Sequence, residues 1–349
     1  MKRDGKGRFV SEKAGNNSGE EKVYAVGFKG FEPGLICRGK QYAENTVFEE
    51  PEAELCKKGM HFCENPLDVF RYYAPAQNGK ITEFATVEAL APCEGDGDKK
   101  VTTKLRIGAK LTLGGLIDAA VKFCFERVKW LKKAQSHGDY SAAQTHGWGS
   151  AAQTHGWGSA AQTHGERSAA QTHGERSAAQ SHGDYSAAQT HGERSAAQTH
   201  GERSAAQTHG WRSAAQTHGE RSAAQSHGDY SAAQTHGWGS AAQTHGERSA
   251  AQTHGWGSAA QTHGWGSAAQ THGDYSAASA TGKESFAVAT GRESKVKGAL
   301  GCFIACAEWR EIDGNFHPVA LVSGKVDGKK LKADTWYTVK NGRFVEVEE

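Results

Sequence analysis

Proline is scarce in this chain, with six residues and none between Pro92 and Pro318. Nothing across that long interval therefore interrupts a hydrogen-bonded backbone ladder. Long apolar runs are missing too: no stretch approaches the ~18 residues a membrane-spanning helix needs, so no membrane insertion is expected. The opening MKRDGKGRFVSEKAGNNSGEE is polar and has no hydrophobic segment of the secretory type. Charge of one sign is also lacking. The 41 basic and 39 acidic residues leave a formal +2, which offers no nucleic-acid footprint and no polybasic membrane patch. Seven cysteines lie scattered outside the repetitive middle, an odd set that reads as reduced thiols rather than a disulfide framework. Cytoplasmic synthesis is the expectation, with virion association after lysis left open as a final location. No phosphate-binding loop, zincin motif or nucleophile elbow appears.

What is present is a nine-residue phrase. From Ser141 to Tyr275 it runs fifteen times without interruption as S-A-A-Q-[T/S]-H-G-x-x, ending in Trp-Gly, Glu-Arg, Asp-Tyr or Trp-Arg. Three diverged units follow, SAASATGKE, SFAVATGRE and SKVKGALGC. Of 18 histidines, 16 recur at nine-residue steps from His137 to His272, so the middle of the protein becomes strongly cationic if they protonate. Four regions result: a polar tail (1–20), a small α+β domain (21–133), the repeats (134–302) and a β-rich C-terminal cap (303–349). In the α+β domain, KVYAVGF, ITEFATVEAL and KLRIGAKLTL alternate as strands do. Leu116, Ala119, Ala120, Phe123 and Val128 fall at helical spacing, and this helix is expected to cover the first coil of the repeats as a cap. Asn341-Gly342 between two alternating runs predicts a hairpin.

A nine-residue unit is too short to enclose a core, so its small side chains are buried only if copies stack. Six residues make a short strand, and Gly at position seven frees the backbone at a corner. Two units then form an 18-residue coil, stacked at about 4.8 Å, giving a mainly β protein built on a parallel β-solenoid. The diverged units indicate the inward face. Positions three and five stay small there, whereas positions two and four both become Lys in the last unit. Burying lysines is costly, so Ser, Ala and Thr of positions one, three and five should face inward, with Gln and His in outward ladders. The Asp-Tyr pairs at 139–140, 184–185, 229–230 and 274–275 recur every five units, an odd number that alternates them between opposite edges of such a coil. Duplication of a 45-residue block accounts for that spacing. A disordered tether is the alternative to a solenoid, opposed by the fixed Gly, the missing Pro and the flanking domains.

The runs CRGKQY (37–42) and LCKKGMHFCENPLDVFRYY (55–73), the small-residue repeats and the ending ADTWYTVKNGRFVEVE together resemble an uncharacterised family of phage and prophage repeat proteins. That resemblance implies a genomic setting and no activity; Gln-Thr-His in place of Ser-Ala-Thr is a departure from it. SFAVATG (285–291) is also similar to the head domains of trimeric autotransporter adhesins. This likeness implies a β-roll and self-association as a trimer.

Several residues are candidate sites. In-register histidines such as His146, His155 and His164 offer nitrogen ligands for zinc, nickel or copper, although a straight ladder converges poorly. Cys56, His61 and Cys63 supply a second metal candidate, with Cys37 or Cys93 as a fourth ligand; buried Cys and a solvated polar face are the plain readings, and no cofactor is required. Trp148, Trp157, Trp211, Trp238, Trp256 and Trp265 at the corners, with Gln144 and His146 on the face, suit a glycan or protein partner, or packing between chains. Gly59-Met60-His61-Phe62, with Tyr72-Tyr73 and a later Glu83 or Glu88, is similar to the Gly-x-Tyr-Phe and Glu of ADP-ribosyltransferase folds. That likeness implies that His61 or Tyr72 holds a nicotinamide ribose while Glu83 or Glu88 orients the nucleophile. The favoured expectation is a structural or multivalent binding protein; the alternatives are a nucleotide-modifying enzyme in the N-terminal domain, metal binding by the histidines, and ice binding.

Overall fold

The computed structural model describes residues 2–3, 9–10, 21–77, 80–127 and 133–347. The expected tail over residues 1–20 falls outside the described residues apart from two short strands, as does Val128.

From Lys133 onward each nonapeptide contributes one short strand, and successive strands alternate between two parallel sheets. Ala134 pairs with Ala152, and Ala142 with Ala160, a step of 18 residues. The coil is thus two strands and two corners, and the chain is a mainly-β parallel β-solenoid with a mixed α+β region before it and β-rich strands after it. Inside lie positions one, three and five: Ser168, Ala170 and Thr172 are all 0% exposed. The buried serines are well partnered. Ser177 Oγ donates to Gly156 O at 3.2 Å and accepts from Ser159 N at 3.3 Å, tying each corner to the coils below. Many interior threonines are not: the Oγ1 atoms of Thr154, Thr172, Thr190 and Thr217 are buried without a hydrogen-bond partner. Where serine replaces one of two stacked threonines the hydroxyls meet, as in Thr163 and Ser181 at 2.8 Å.

Gly at position seven does give the corner backbone freedom, with φ +106° at Gly147 and +136° at Gly183. It is demanded by close approach as well, because a Cβ on Gly210 would drive into the carbonyl of Gly192 one coil below. The left-handed turn falls two residues later, at position nine: φ is +57° at Arg167, +58° at Tyr185 and +67° at Gly149. Non-glycine residues pay roughly 1–2 kcal/mol for that conformation. Coil-to-coil bonds offset it, such as Arg167 N to Asp184 O and Tyr185 N to Glu202 O, both 2.9 Å. The same 18-residue period puts Tyr140 and Tyr230 on one edge and Tyr185 and Tyr275 on the other, so the Asp-Tyr pair has no fixed side.

The N-terminal region carries β1 (Ala25–Phe31), β2 (Thr46–Glu49), β3 (Met60–Phe62), β4 (Glu83–Ala89), β5 (Cys93–Asp96), β6 (Lys99–Thr102), β7 (Lys104–Leu111) and α1 (Leu113–Arg127). They form an antiparallel sheet in the order β1-β4-β7-β2 and a smaller one in the order β5-β6-β3. Thr112 Oγ1 accepts from Gly115 N at 3.1 Å to start α1. The capping role expected for this helix is corrected by its position. Instead of closing the first coil, α1 lies along the outer face of the first sheet: Leu113, Leu116, Ile117, Ala120 and Val121 pack on Ala205, Ala223, Ala241 and Ala259, while Phe125 reaches Ala151 and Ala169. Position two is Ala in every one of these coils, which leaves a smooth apolar strip for a helix to rest on. Gly114 permits the closest contact, against Gln225 and Gln243. The equivalent strip on the second sheet, including Ala160, Ala178, Ala196 and Ala214, is exposed.

At the other end, Phe303–Ile312 stacks in parallel on Phe286–Ala289 and then pairs antiparallel with Asn315–Lys325. The expected hairpin is present: Tyr337–Lys340 pairs with Arg343–Glu346 across Asn341 (φ +52°) and Gly342 (φ +70°). Glu308 accepts both turn amides, at 3.0 and 2.7 Å.

Candidate functional site

The outward ladders run as two columns of stacked imidazoles, one per sheet. His155 and His173 are 4.8 Å apart with planes 5° from parallel, and His146 and His164 are 4.9 Å apart at 7°. Parallel rings aim their nitrogens side by side, whereas a metal needs lone pairs converging at about 2.0–2.1 Å. His146 and His164 share a column and His155 stands in the other, and among the described residues no group of three or more His, Cys, Asp or Glu side chains could hold a metal ion. The glutamines also chain together, Gln144 donating to Gln162 at 3.3 Å and Gln162 to Gln180 at 3.1 Å.

The tryptophans occupy the two edges, where they are interleaved with arginines and tyrosines from neighbouring coils. On one edge Tyr140 meets Trp157 edge-on at 4.8 Å, Arg176 lies 5.2 Å from the Trp157 ring, and Arg212 lies 4.1 Å from Trp211. On the other, Arg221 lies 4.8 Å from Trp238, which stacks on Trp256 at 5.6 Å. Each such contact is worth about 0.5–1 kcal/mol at an exposed site. These rings are thus structural partners within the rod; Trp148, Trp256 and Trp265 retain the most exposed surface.

The second edge also holds the N-terminal domain. Arg203, nearly buried, places Nε 3.2 Å from Asp68 Oδ1 and Nη2 3.6 Å from Asp98 Oδ2. Asp98 also accepts from Arg71 at 2.6 Å and Tyr72 at 2.9 Å. Burial pushes the Asp68 carboxyl up to about 7 even though Arg203 opposes the rise.

Within the N-terminal domain lies a cleft of about 490 Å³. Two glycines of β1 bring its walls together, since a Cβ on Gly27 would strike Cys63 and Phe62, and one on Gly30 would strike Tyr73 and Val69. Its floor is Lys29, 5% exposed, whose Nζ donates to His61 O at 2.9 Å. Burial lowers the Lys29 ammonium below its ordinary range. Cys37 Sγ and Tyr73 OH are 2.9 Å apart, and burial raises the phenol. Lys99 Nζ stands 4.5 Å from the Tyr72 ring centre and donates to Cys56 Sγ at 3.1 Å. His61 Nε2 accepts from Cys56 N at 2.9 Å, which occupies the nitrogen a metal would use; burial, then Lys99 and Lys29, hold that imidazole down at about 4. Cys63 is buried and its thiol is raised by burial.

His61, Tyr72, Cys37 and Cys63 therefore line one cleft, while Cys56 touches His61 and Lys99 without being part of the lining. Cys93 is not part of the lining. Neither are Glu83 and Glu88. Glu83 accepts from Leu35 N at 2.9 Å and pairs with Lys110, while Glu88 pairs with Arg106 at 2.8 Å. The two glutamates expected to complete an ADP-ribosyltransferase arrangement thus lie outside the cleft that holds His61 and Tyr72. Lys29, Arg38 and Lys99 went unrecognised in the sequence because they span some seventy positions and only folding brings them together.

The fold and this cleft define a β-solenoid protein with a clefted α+β domain clamped to its flank. Residues 25–119 match the model of a family described as a domain of unknown function, DUF7666. No curated protein and no solved structure matches the chain. Among the described residues, no helix is long and apolar enough to cross a membrane.

Proposed function

We propose that the protein is a rigid multivalent binding scaffold, with glycan chains of a host surface as the ligand class and a phage or prophage as its setting. The observation that carries this reading is the asymmetry of the rod. The N-terminal domain covers the outer face of one sheet and leaves the other open, with columns of exposed Ala, then Gln, then His that repeat at every coil. Such an array offers the same amide and imidazole contacts at about 4.8 Å intervals, so weak single contacts add by avidity. Exposed Trp256 and Trp265 extend this surface at the edges. The free cysteines support synthesis in a reducing compartment.

A glycan array probed with the full chain tests this. Retention should be lost in Ala178→Glu/Ala214→Glu, which adds charge on the open face without touching the core. No retained glycan, or retention unchanged in that variant, would overturn the proposal.

A further inference from the structure

The cleft of the N-terminal domain carries an inference independent of the rod. Its lining holds six basic side chains, Lys29, Arg38, Lys40, Lys57, Lys58 and Lys99, against two acidic ones, Glu50 and Glu52. Three of the six are already neutralised: Lys40 pairs with Glu50, Lys58 with Glu52 at 2.7 Å and Lys57 with Glu54 at 2.5 Å. Lys29, Arg38 and Lys99 have no carboxylate partner among the described residues. Of these, Lys29 is the most telling. This ammonium is deeply buried, bonded to the His61 carbonyl and beside the Cys37 side chain, and burying such a group without a counter-charge is costly.

Much of the remaining wall is aromatic: Phe28, Tyr42, Phe62, Tyr72 and Tyr73. A simple anion would satisfy the cations and leave the half-buried rings of Phe28, Tyr72 and Tyr73 facing water. A purely apolar ligand would do the reverse. The chemistry that meets both is a planar ring system carrying phosphate, and the cavity falls within the ~300–1,000 Å³ usual for small-molecule sites.

We propose that this cleft binds a nucleoside diphosphate, with Lys29, Arg38 and Lys99 meeting the phosphates and the tyrosines flanking the base. Arg38 is exposed at the rim and presents a planar fork suited to phosphate oxygens. Lys99, held over Tyr72, stands where a phosphate would replace the Cys56 sulfur as its acceptor. The reading is one of binding: the two carboxylates of the lining, Glu50 and Glu52, are paired with Lys40 and Lys58, and Glu83 and Glu88 lie outside it.

Isothermal titration of the full chain with ADP, GDP, CDP and UDP, beside inorganic pyrophosphate and adenosine, tests the assignment. At least one diphosphate should bind more tightly than pyrophosphate and adenosine. Arg38→Ala and Lys99→Ala should each weaken it by about tenfold or more, with unchanged circular dichroism. Both residues lie away from the core, so these variants remain informative even where Lys29→Met fails to fold. Heat from none of the four diphosphates would overturn the proposal. So would pyrophosphate binding as tightly as the best of them, or affinity untouched by both substitutions.

Discussion

Acidification should loosen the rod through its histidine columns. Each column stacks eight rings, His137 to His263 on one sheet and His146 to His272 on the other, at centroid spacings of 4.7–5.0 Å. Two imidazoliums 4.8 Å apart repel by about 0.9 kcal/mol in water-like surroundings and by about 3.5 kcal/mol at an effective dielectric near 20. Charging a whole column creates seven such contacts, or about 6 kcal/mol even at the weaker value, comparable to the net stability of a domain. Local environment acts in the same direction. His209 is held down at about 4 from 6.5, by burial first and then by His227 and His191. Discounted for the water that reaches it, that shift represents about 1–2 kcal/mol. The sign follows from the unfolded chain, whose imidazoles protonate near 6.5 while the stacked ones resist. Stability is therefore full above about pH 7 and is lost as pH falls from 6.5 toward 4. Thermal unfolding followed by far-UV circular dichroism should show a melting temperature lower by roughly 10 °C or more at about pH 5 than at about pH 8. Replacing His164, His182, His200 and His218 with Gln should shrink that difference. Equal melting temperatures at the two pH values, or imidazole resonances that titrate independently near 6.5, would refute the reasoning.

Three other perturbations probe separate contacts. Gly210→Ala should destabilise the rod by about 1–3 kcal/mol or more, because its methyl meets the Gly192 carbonyl, and a denaturant midpoint measures this. Thr190→Val removes a buried hydroxyl with no partner and should be neutral or stabilising by about 1 kcal/mol; a clear loss would mean the hydroxyl is bonded. Arg203→Ala strands the buried Asp68 carboxyl, while Asp98 keeps Arg71 and Tyr72, and should cost about 3 kcal/mol, seen as faster amide exchange in α1 while the coils beyond Ala259 keep their protection. Asp68→Asn should cost less and should remove a pH dependence of opposite sign to that of the histidines. The raised carboxyl favours the docked state at low pH, and this contribution is lost as pH rises through about 7.

The inside and outside of the coil were legible because the diverged units act as substitutions. Lys297, at position four of SKVKGALGC, is half-buried with its ammonium 4.8 Å from the Trp336 ring, as a buried-charge argument requires, whereas Lys295 at position two is only 7% exposed, so for that residue the cost of burying a charge was a poor guide. The covered and open sheets were not legible, since Ala151 and Ala160 have identical neighbours in sequence and differ only in which lies under α1. Position nine was hidden for another reason: Arg and Tyr are not residues that signal a left-handed turn, and coil-to-coil hydrogen bonds impose it on them. In the N-terminal domain the runs at 37–42 and 55–73 did mark the cleft. The charges that give it character are solvated singly in sequence and become a cluster only when β1, β3 and β6 meet.

Stacking itself is tested most directly by a distance. Spin labels carried on bioorthogonal residues at positions 160 and 250 sit on the open sheet five coils apart, which corresponds to about 24 Å at ~4.8 Å per coil. Double electron–electron resonance should give a narrow distribution near that value, broadened only by the label arms. A broad distribution centred near ~50 Å, as expected for a flexible 90-residue chain, would contradict the solenoid.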